Sequence, residues 1–241
     1  MLYYVDVAKY QPENLKNYKN AGAKGAIVQL TVAQSIRAPK AGAQIHSAKV
    51  NGLHRLFYHY ACFGHNVKNA VAEANFAIRE AKRLGFSSIH VFCDWENQDN
   101  DTSGSKAANT AAILAFMRTI HKAGFTAGLY SSASLLYTKI DTHAIIKEFG
   151  SCLWVASYPK AGAVNSANME YFPSMDGVCI WQFTDNWYGL SADGNVVVYD
   201  PFKLKKVQKT GPYKPKKTVK KTLKKNEKIT ITGDNLKITK E

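Results

Sequence analysis

Residues 90–97 read HVFCDWEN, an apolar run that ends in two carboxylates separated by one tryptophan. A short apolar run of this kind is typical of a strand that is buried on both faces, as in a parallel sheet. Side chains i and i+2 of a strand lie on one face, with about 6.6 Å between their Cα atoms. Asp94 and Glu96 are therefore expected to point together, and Trp95 to point toward the opposite face.

Similar apolar, β-branched or aromatic runs recur along the first 200 residues, and the early ones are separated by segments with helical periodicity. Residues 13–22, 66–85 and 103–124 are predicted helices, and the helical signal fades after Ser131. Strand and helix in alternation favour a mostly parallel sheet covered by helices. We therefore predict a closed α/β barrel of the TIM type, with eight strands at residues 2–7, 26–31, 55–61, 89–95, 126–131, 152–157, 177–183 and 195–200.

Length and composition limit the classes of protein to which the chain can belong. The chain has 241 residues, enough for one such barrel with a short appendage. No apolar stretch approaches the roughly 20 residues that a membrane-spanning helix needs, and no secretory signal is visible at the start. The four cysteines lie in or beside apolar runs without a framework spacing, so they are expected to be free thiols.

The positive charge is concentrated at the end of the chain. Residues 203–241 contain 14 lysines and three acids, so +11 of the formal net charge of +14 belongs to them. Residues 203–227 are too charged to bury a core and are predicted to be a linker. Residues 228–241 alternate apolar and polar side chains around a Gly-Asp-Asn turn, which indicates a hairpin that begins an incomplete C-terminal module.

Barrel enzymes carry their chemistry at the carboxyl ends of the strands, and acids occur there in this sequence. Asp6 lies late in the first strand and Asp200 ends the last one, so they are expected to meet Asp94 and Glu96 at one mouth. Adjacent carboxyl groups raise each other's pKa, so that one can hold a proton while another is ionised. Glycoside hydrolysis needs this division between an acid and an anion.

Aromatic and amide side chains recur at similar depth in the strands. As a set they suit a carbohydrate groove, although each aromatic taken singly is also explained as part of a hydrophobic core. The candidate sugar-binding residues are Tyr58, Tyr60, Tyr130, Trp154, Tyr158 and Gln182.

Six motifs, taken in order, resemble glycoside hydrolase family 25, the Chalaropsis-type lysozymes found among phage endolysins. They are YVDVAKYQ, FYHY, DWE, GLYS, LWVASY and IWQFTD, and the resemblance covers residues 1–202. It implies a flattened barrel of eight strands and five helices. It also implies a β-1,4-N-acetylmuramidase that cuts peptidoglycan between N-acetylmuramic acid and N-acetylglucosamine without metal or cofactor.

The resemblance also implies roles for individual residues. Glu96 would be the general acid, and Asp94 would orient the 2-acetamido group of the substrate or stabilise its charge. Asp6 and Asp200 would complete the acidic pocket. An enzyme of this kind acts at the bacterial cell wall, and a phage lysin reaches it through lysis of the host.

Two other interpretations of the sequence stay open. The barrel could bind cell-wall glycans without cleaving them. The lysine-rich tail could be a nucleic-acid arm, a ligand for anionic wall polymers or a solvated linker, and its few aromatic residues argue against base stacking.

Overall fold

Eight strands close into a barrel in the computed structural model of the chain, which describes residues 1–199, 227–232 and 235–240. A short ninth strand, β3, pairs antiparallel with the edge of β2. The prediction of an eight-stranded α/β barrel is confirmed. The strands of this sheet are β1 Leu2–Val7, β2 Gly25–Val32, β3 Ile36–Arg37, β4 His54–Tyr60, β5 His90–Asp94, β6 Thr126–Ser132, β7 Leu153–Ala156, β8 Val178–Thr184 and β9 Asp193–Val197.

All barrel neighbours from β1 to β8 run parallel, and β9 runs antiparallel to both β8 and β1. Only eight residues connect β8 to β9, too few for the helical crossover that a parallel strand requires. The first residue of β9, Asp193, therefore lies at the mouth formed by the carboxyl ends of the other strands. Val197 pairs with Leu2 at the opposite end of the barrel.

Six α-helices occur in the described part of the chain, one more than the resemblance implied. Helix α2 has no amphipathic pattern, because its buried positions include small and polar side chains such as Gln44 and Ser47. Helices α5 and α6 follow β6, where the sequence signal had faded, and are only seven and eight residues long. The helices are α1 Lys16–Asn20, α2 Ala41–Val50, α3 Val67–Arg83, α4 Lys106–Lys122, α5 Ala133–Lys139 and α6 Thr142–Phe149.

Polar side chains cap most of these helices. Asn66, Ser105, Ser132 and Asp141 each accept a hydrogen bond from a backbone N–H in the first turn of the helix that follows. Between β7 and β8 the connection holds only a 3₁₀ turn, Met169–Tyr171, in place of a covering helix. None of the helices in the described ranges is long and apolar enough to cross a membrane.

The barrel has two apolar layers because side chains alternate between the faces of each strand. One layer fills the interior of the barrel, below the mouth, with residues such as Tyr4, Ile27, Leu56 and Phe92. The other lies between the sheet and the helices. Trp95 belongs to this outer layer, as its position between Asp94 and Glu96 predicts, and its Nε1–H donates to the backbone oxygen of Gly64 at 3.0 Å. The four cysteines are free.

The tail forms a separate unit that begins at Lys206. Strands β10 Glu227–Thr232 and β11 Asn235–Lys240 pair antiparallel. The predicted linker lies outside the described residues except for Glu227, and the assignment of a C-terminal module stays a prediction.

Gly128 tests how tightly the barrel interior is packed. It pairs with Phe92 across β5 and β6, and a Cβ atom at Gly128 would overlap the Phe92 ring. We expect Gly128→Ala to lower the free energy of unfolding by about 1 to 3 kcal/mol through overpacking. Chemical denaturation measures this change.

Gly42→Ala is the matched control, because a Cβ at this position of helix α2 meets only an ordinary contact at 3.9 Å. It should raise stability by about 0.5 to 1 kcal/mol through helix propensity. Equal effects of the two substitutions would contradict the packing described for the interior.

Candidate active site

Four carboxyl groups meet at the mouth of the barrel. Asp6 lies near the end of β1, Asp94 ends β5, Glu96 follows it, and Asp193 begins β9. Each is inward-facing because it lies two residues from another inward position, as Asp6 does from Tyr4 and Asp94 from Phe92. Asp6 and Asp94 are only 8% and 5% exposed.

Asp6 and Asp193 are register partners on β1 and β9, and Gln182 Nε2 donates to an oxygen of each, so the two carboxyl groups lie side by side. Two ionised carboxylates can only accept, so a hydrogen bond between them requires a shared proton. Burial, together with the charge of Asp6 and this hydrogen bond, raises the pKa of Asp193 to about 9. Burial also raises the pKa of Asp6, although hydrogen bonds from Asn195 and Gln182 oppose this shift.

The second pair of acids, Asp94 and Glu96, is the one that the sequence placed together. Burial raises the pKa of Asp94 well above its ordinary value, and the charges of Glu96, Asp6 and Asp193 raise it further. Burial also raises the pKa of Glu96, and the neighbouring Tyr130 hydroxyl opposes this shift. Glu96 is the more exposed of the two. The cluster as a whole therefore retains protons near neutral pH.

One oxygen of Asp94 is available for a ligand. Oδ1 is buried, and no group in the described residues hydrogen-bonds to it. A buried polar atom without a partner is costly, so its presence at the carboxyl end of a barrel strand indicates a function for it. A substrate N–H or O–H that reaches Oδ1 would remove this cost.

The predicted sugar-binding residues lie at three depths. Trp154 is 1% exposed, and its ring packs against Tyr130 at a centroid distance of 4.3 Å. Tyr58 and Tyr130 are each 7% exposed. Tyr60 is half-buried and Tyr158 is 45% exposed at the rim.

Gln182 lies at the centre of the hydrogen-bond network. Its Nε2–H groups donate to Asp6 Oδ2 at 3.0 Å and to Asp193 Oδ2 at 3.1 Å. Its Oε1 accepts from the hydroxyls of Tyr130 at 2.9 Å and Tyr158 at 2.6 Å. All four hydrogen-bonding positions of this amide are therefore used within the protein.

Sequence reasoning missed Asp193 and Asn195. It assigned the fourth acid to Asp200, which lies outside the described residues. The acid that the structure brings beside Asp6 is Asp193. The available signal was the spacing in Asp193-Gly194-Asn195, which repeats the i, i+2 arrangement of Asp94 and Glu96 and so directs both side chains inward.

An eight-stranded α/β barrel with clustered acids and buried tyrosines at its mouth defines a glycoside-hydrolase type of site. Comparison with known proteins gives the family. The sequence profile of glycosyl hydrolases family 25 matches residues 5–190, and the chain belongs to this family.

Several relatives come from phages. A lysozyme of Lactococcus phage mv1 is 41% identical over 177 residues, which cover 73% of this chain and 88% of the relative. A lysozyme of Streptococcus phage Cp-7 is 31% identical over 217 residues, which cover 90% of this chain and 59% of the relative.

Among solved structures, the modular Cpl-1 endolysin complexed with a peptidoglycan analogue superposes with a TM-score of 0.70 and 26% identity. The match covers 99% of this chain and 61% of that one. The chain therefore spans less than two thirds of the Cp-7 lysozyme and of the Cpl-1 endolysin.

Asp193→Asn tests the protonation of the cluster. The asparagine amide can donate to Asp6 and accept from Gln182, as a protonated Asp193 does. With a pKa of about 9 in the folded chain and an ordinary value near 4 in the unfolded chain, Asp193 favours folding at low pH. This stabilisation is lost as the pH rises from 4 toward 9. The variant should therefore exceed wild type by roughly 1 to 3 kcal/mol at pH 7 and match it near pH 4.

Urea denaturation at the two pH values measures the difference. Asp176→Asn is the control, because Asp176 is exposed and lies away from the cluster. If Asp193→Asn is no more stable than wild type at pH 7, Asp193 does not hold a proton in the folded chain.

Proposed function

We propose that the chain is a β-1,4-N-acetylmuramidase that hydrolyses bacterial peptidoglycan between N-acetylmuramic acid and N-acetylglucosamine. The observation that carries the proposal is the set of four carboxyl groups in one pocket at the barrel mouth. The names of the phage relatives and the peptidoglycan analogue bound to the Cpl-1 endolysin support the choice of substrate.

Glu96 is the proposed general acid. It is the most accessible of the inward pair, so a glycosidic oxygen at the mouth can approach it. Burial and the charge of Asp6 raise its pKa, which favours a proton on Glu96 at working pH. Above this raised pKa the proton is lost, and activity should fall with it.

Asp94 is the proposed partner of the substrate's 2-acetamido group. Its buried Oδ1 offers an acceptor that the described protein groups leave unused. An acetamido N–H would satisfy it and place the sugar ring over Glu96. The pair of Asp6 and Asp193, which carries one proton, then supplies a single negative charge beside the substrate, where an oxocarbenium-like centre is stabilised.

The aromatic residues are proposed to hold the sugars. Tyr158 at the rim and Tyr60 at the wall offer ring faces and hydroxyls to the glycan. Tyr58, Tyr130 and Trp154 shape the floor beneath them, and Gln182 ties this floor to the acids.

Glu96→Gln is the direct test. We expect hydrolysis of purified walls to fall at least about 100-fold, because the glutamine cannot give a proton to the leaving oxygen. The variant should stay folded, since removing one of several neighbouring acids relieves repulsion. The release of new reducing ends measures hydrolysis, and thermal unfolding measures stability.

Glu170→Gln is the matched control, because Glu170 is exposed on the 3₁₀ turn. Undiminished hydrolysis by the Glu96 variant would exclude Glu96 as the acid. Wild-type protein that sediments with walls but releases no reducing ends would favour the glycan-binding alternative.

The lysine-rich tail is proposed to hold the enzyme at the wall through anionic wall polymers. Residues 203–241 carry a net charge of +11, and polyanions bind such segments with an affinity that falls as salt rises. The site of action is then the bacterial cell wall.

The charge of the tail can be changed in the full chain. Replacing six tail lysines by glutamine should weaken binding to teichoic-acid-containing walls and flatten its salt dependence. The substituted positions are Lys216, Lys217, Lys220, Lys221, Lys224 and Lys225.

The control removes the same charge from exposed barrel positions: Lys16, Lys49, Lys68, Lys82, Lys122 and Lys147. Co-sedimentation at rising salt compares the two variants. Equal losses would contradict a specific role for the tail, and tighter binding of wild type to duplex DNA than to walls would favour the nucleic-acid arm.

A further inference from the structure

Asn195 is a buried amide between an indole and a catalytic carboxylate. It is 0% exposed on β9. Its Oδ1 accepts from Trp154 Nε1–H at 2.7 Å, and its Nδ2–H donates to Asp6 Oδ2 at 2.7 Å. The second Nδ2 hydrogen is directed toward the backbone oxygen of Tyr4 at 3.4 Å.

The indole fixes the orientation of this amide. An indole N–H is a donor only, so the group that faces it has to be the amide oxygen. If the Asn195 amide were rotated by 180°, its NH₂ group would face the Trp154 N–H and its oxygen would face the Asp6 carboxylate. Both contacts would be repulsive. The N–H of Asn195 is therefore held on Asp6, and Trp154 determines this through its hydrogen bond to Asn195.

Gln182 adds a second donor to the same oxygen. Asp6 Oδ2 accepts from both amides, whereas among the described residues Asp193 Oδ2 accepts side-chain hydrogen bonds from Gln182 alone. Two N–H donors favour the ionised form of the carboxyl that receives them. The unequal donors thus determine which of the two acids is the anion and which one keeps the shared proton.

We propose that Asn195 and Gln182 are positioning residues that keep Asp6 ionised for the reaction. This inference rests on the proposed muramidase function for its kinetic consequence, but its structural content is independent of turnover. Asp193 then holds the proton of the pair, and the negative charge lies on the β1 side of the pocket.

Two variants test this in the full chain. Asn195→Leu removes the donor at similar volume, and Trp154→Phe removes the N–H that orients it together with part of the buried ring. Trp187→Phe is the control, because it also deletes a buried indole N–H, one that donates to the backbone oxygen of Asn165 at 3.0 Å. Thermal unfolding establishes that each protein is folded.

The first readout is the titration of the Asp6 carboxyl, followed by ¹³C NMR of aspartate-labelled protein and assigned with Asp6→Asn. Asn195→Leu should move the Asp6 midpoint to higher pH, and Trp154→Phe should move it in the same direction by less. Trp187→Phe should leave it unchanged. This readout needs no substrate and remains decisive through Trp154→Phe if the leucine variant does not fold.

The second readout is hydrolysis as a function of pH. The acidic limb of kcat/KM should move to higher pH in both site variants, with kcat lowered about 10- to 100-fold in Asn195→Leu and KM nearly unchanged. An unchanged Asp6 midpoint in both folded variants would overturn the inference. Wild-type protein without hydrolytic activity would instead overturn the proposed function, and the NMR titration would still decide the inference.

Discussion

Asp6 and Asp193 lie side by side where the first and last strands of the barrel meet, and Gln182 donates to both carboxyl groups. β1 and β9 are the first and last strands of the barrel, and these two acids are register partners on them. Closure therefore brings two carboxyl groups into contact in a buried place, where they cannot both be ionised without a large cost. The proton between them follows from the fold, and the amides of Gln182 and Asn195 follow from the need to satisfy the remaining oxygens.

This constraint links stability to chemistry. Burial raises the pKa of every acid in the cluster, so the folded chain pays for its site at neutral pH, where the unfolded chain would ionise freely. The same burial keeps a proton available to a leaving group. A fold optimised for stability alone would replace such a cluster, which is the usual relation between active sites and stability.

Much of the fold could be predicted because most strands are buried on both faces and therefore appear in the sequence as apolar runs. The stretch HVFCDWEN was also enough to predict that Asp94 and Glu96 point together, since strand periodicity alone puts them on one face. Helix α2 was missed because its buried face is built from small and polar residues. Asp193 was missed because the last strand was predicted at residues 195–200 with Asp200 at the mouth. The strand begins at Asp193 and runs antiparallel after a short connection, so its first residue lies at the mouth. The hydrogen-bond saturation of Gln182 depends on partners from β1, β6, β9 and the loop after β7, which no local pattern reveals.

The central claim is that this acidic pocket cuts the bond on the reducing side of N-acetylmuramic acid. Mass spectrometry of peptidoglycan digested by the wild-type chain and then reduced with borohydride tests it most directly. We predict fragments that end in reduced N-acetylmuramic acid and that are lost with Glu96→Gln. Fragments that end in reduced N-acetylglucosamine would contradict it.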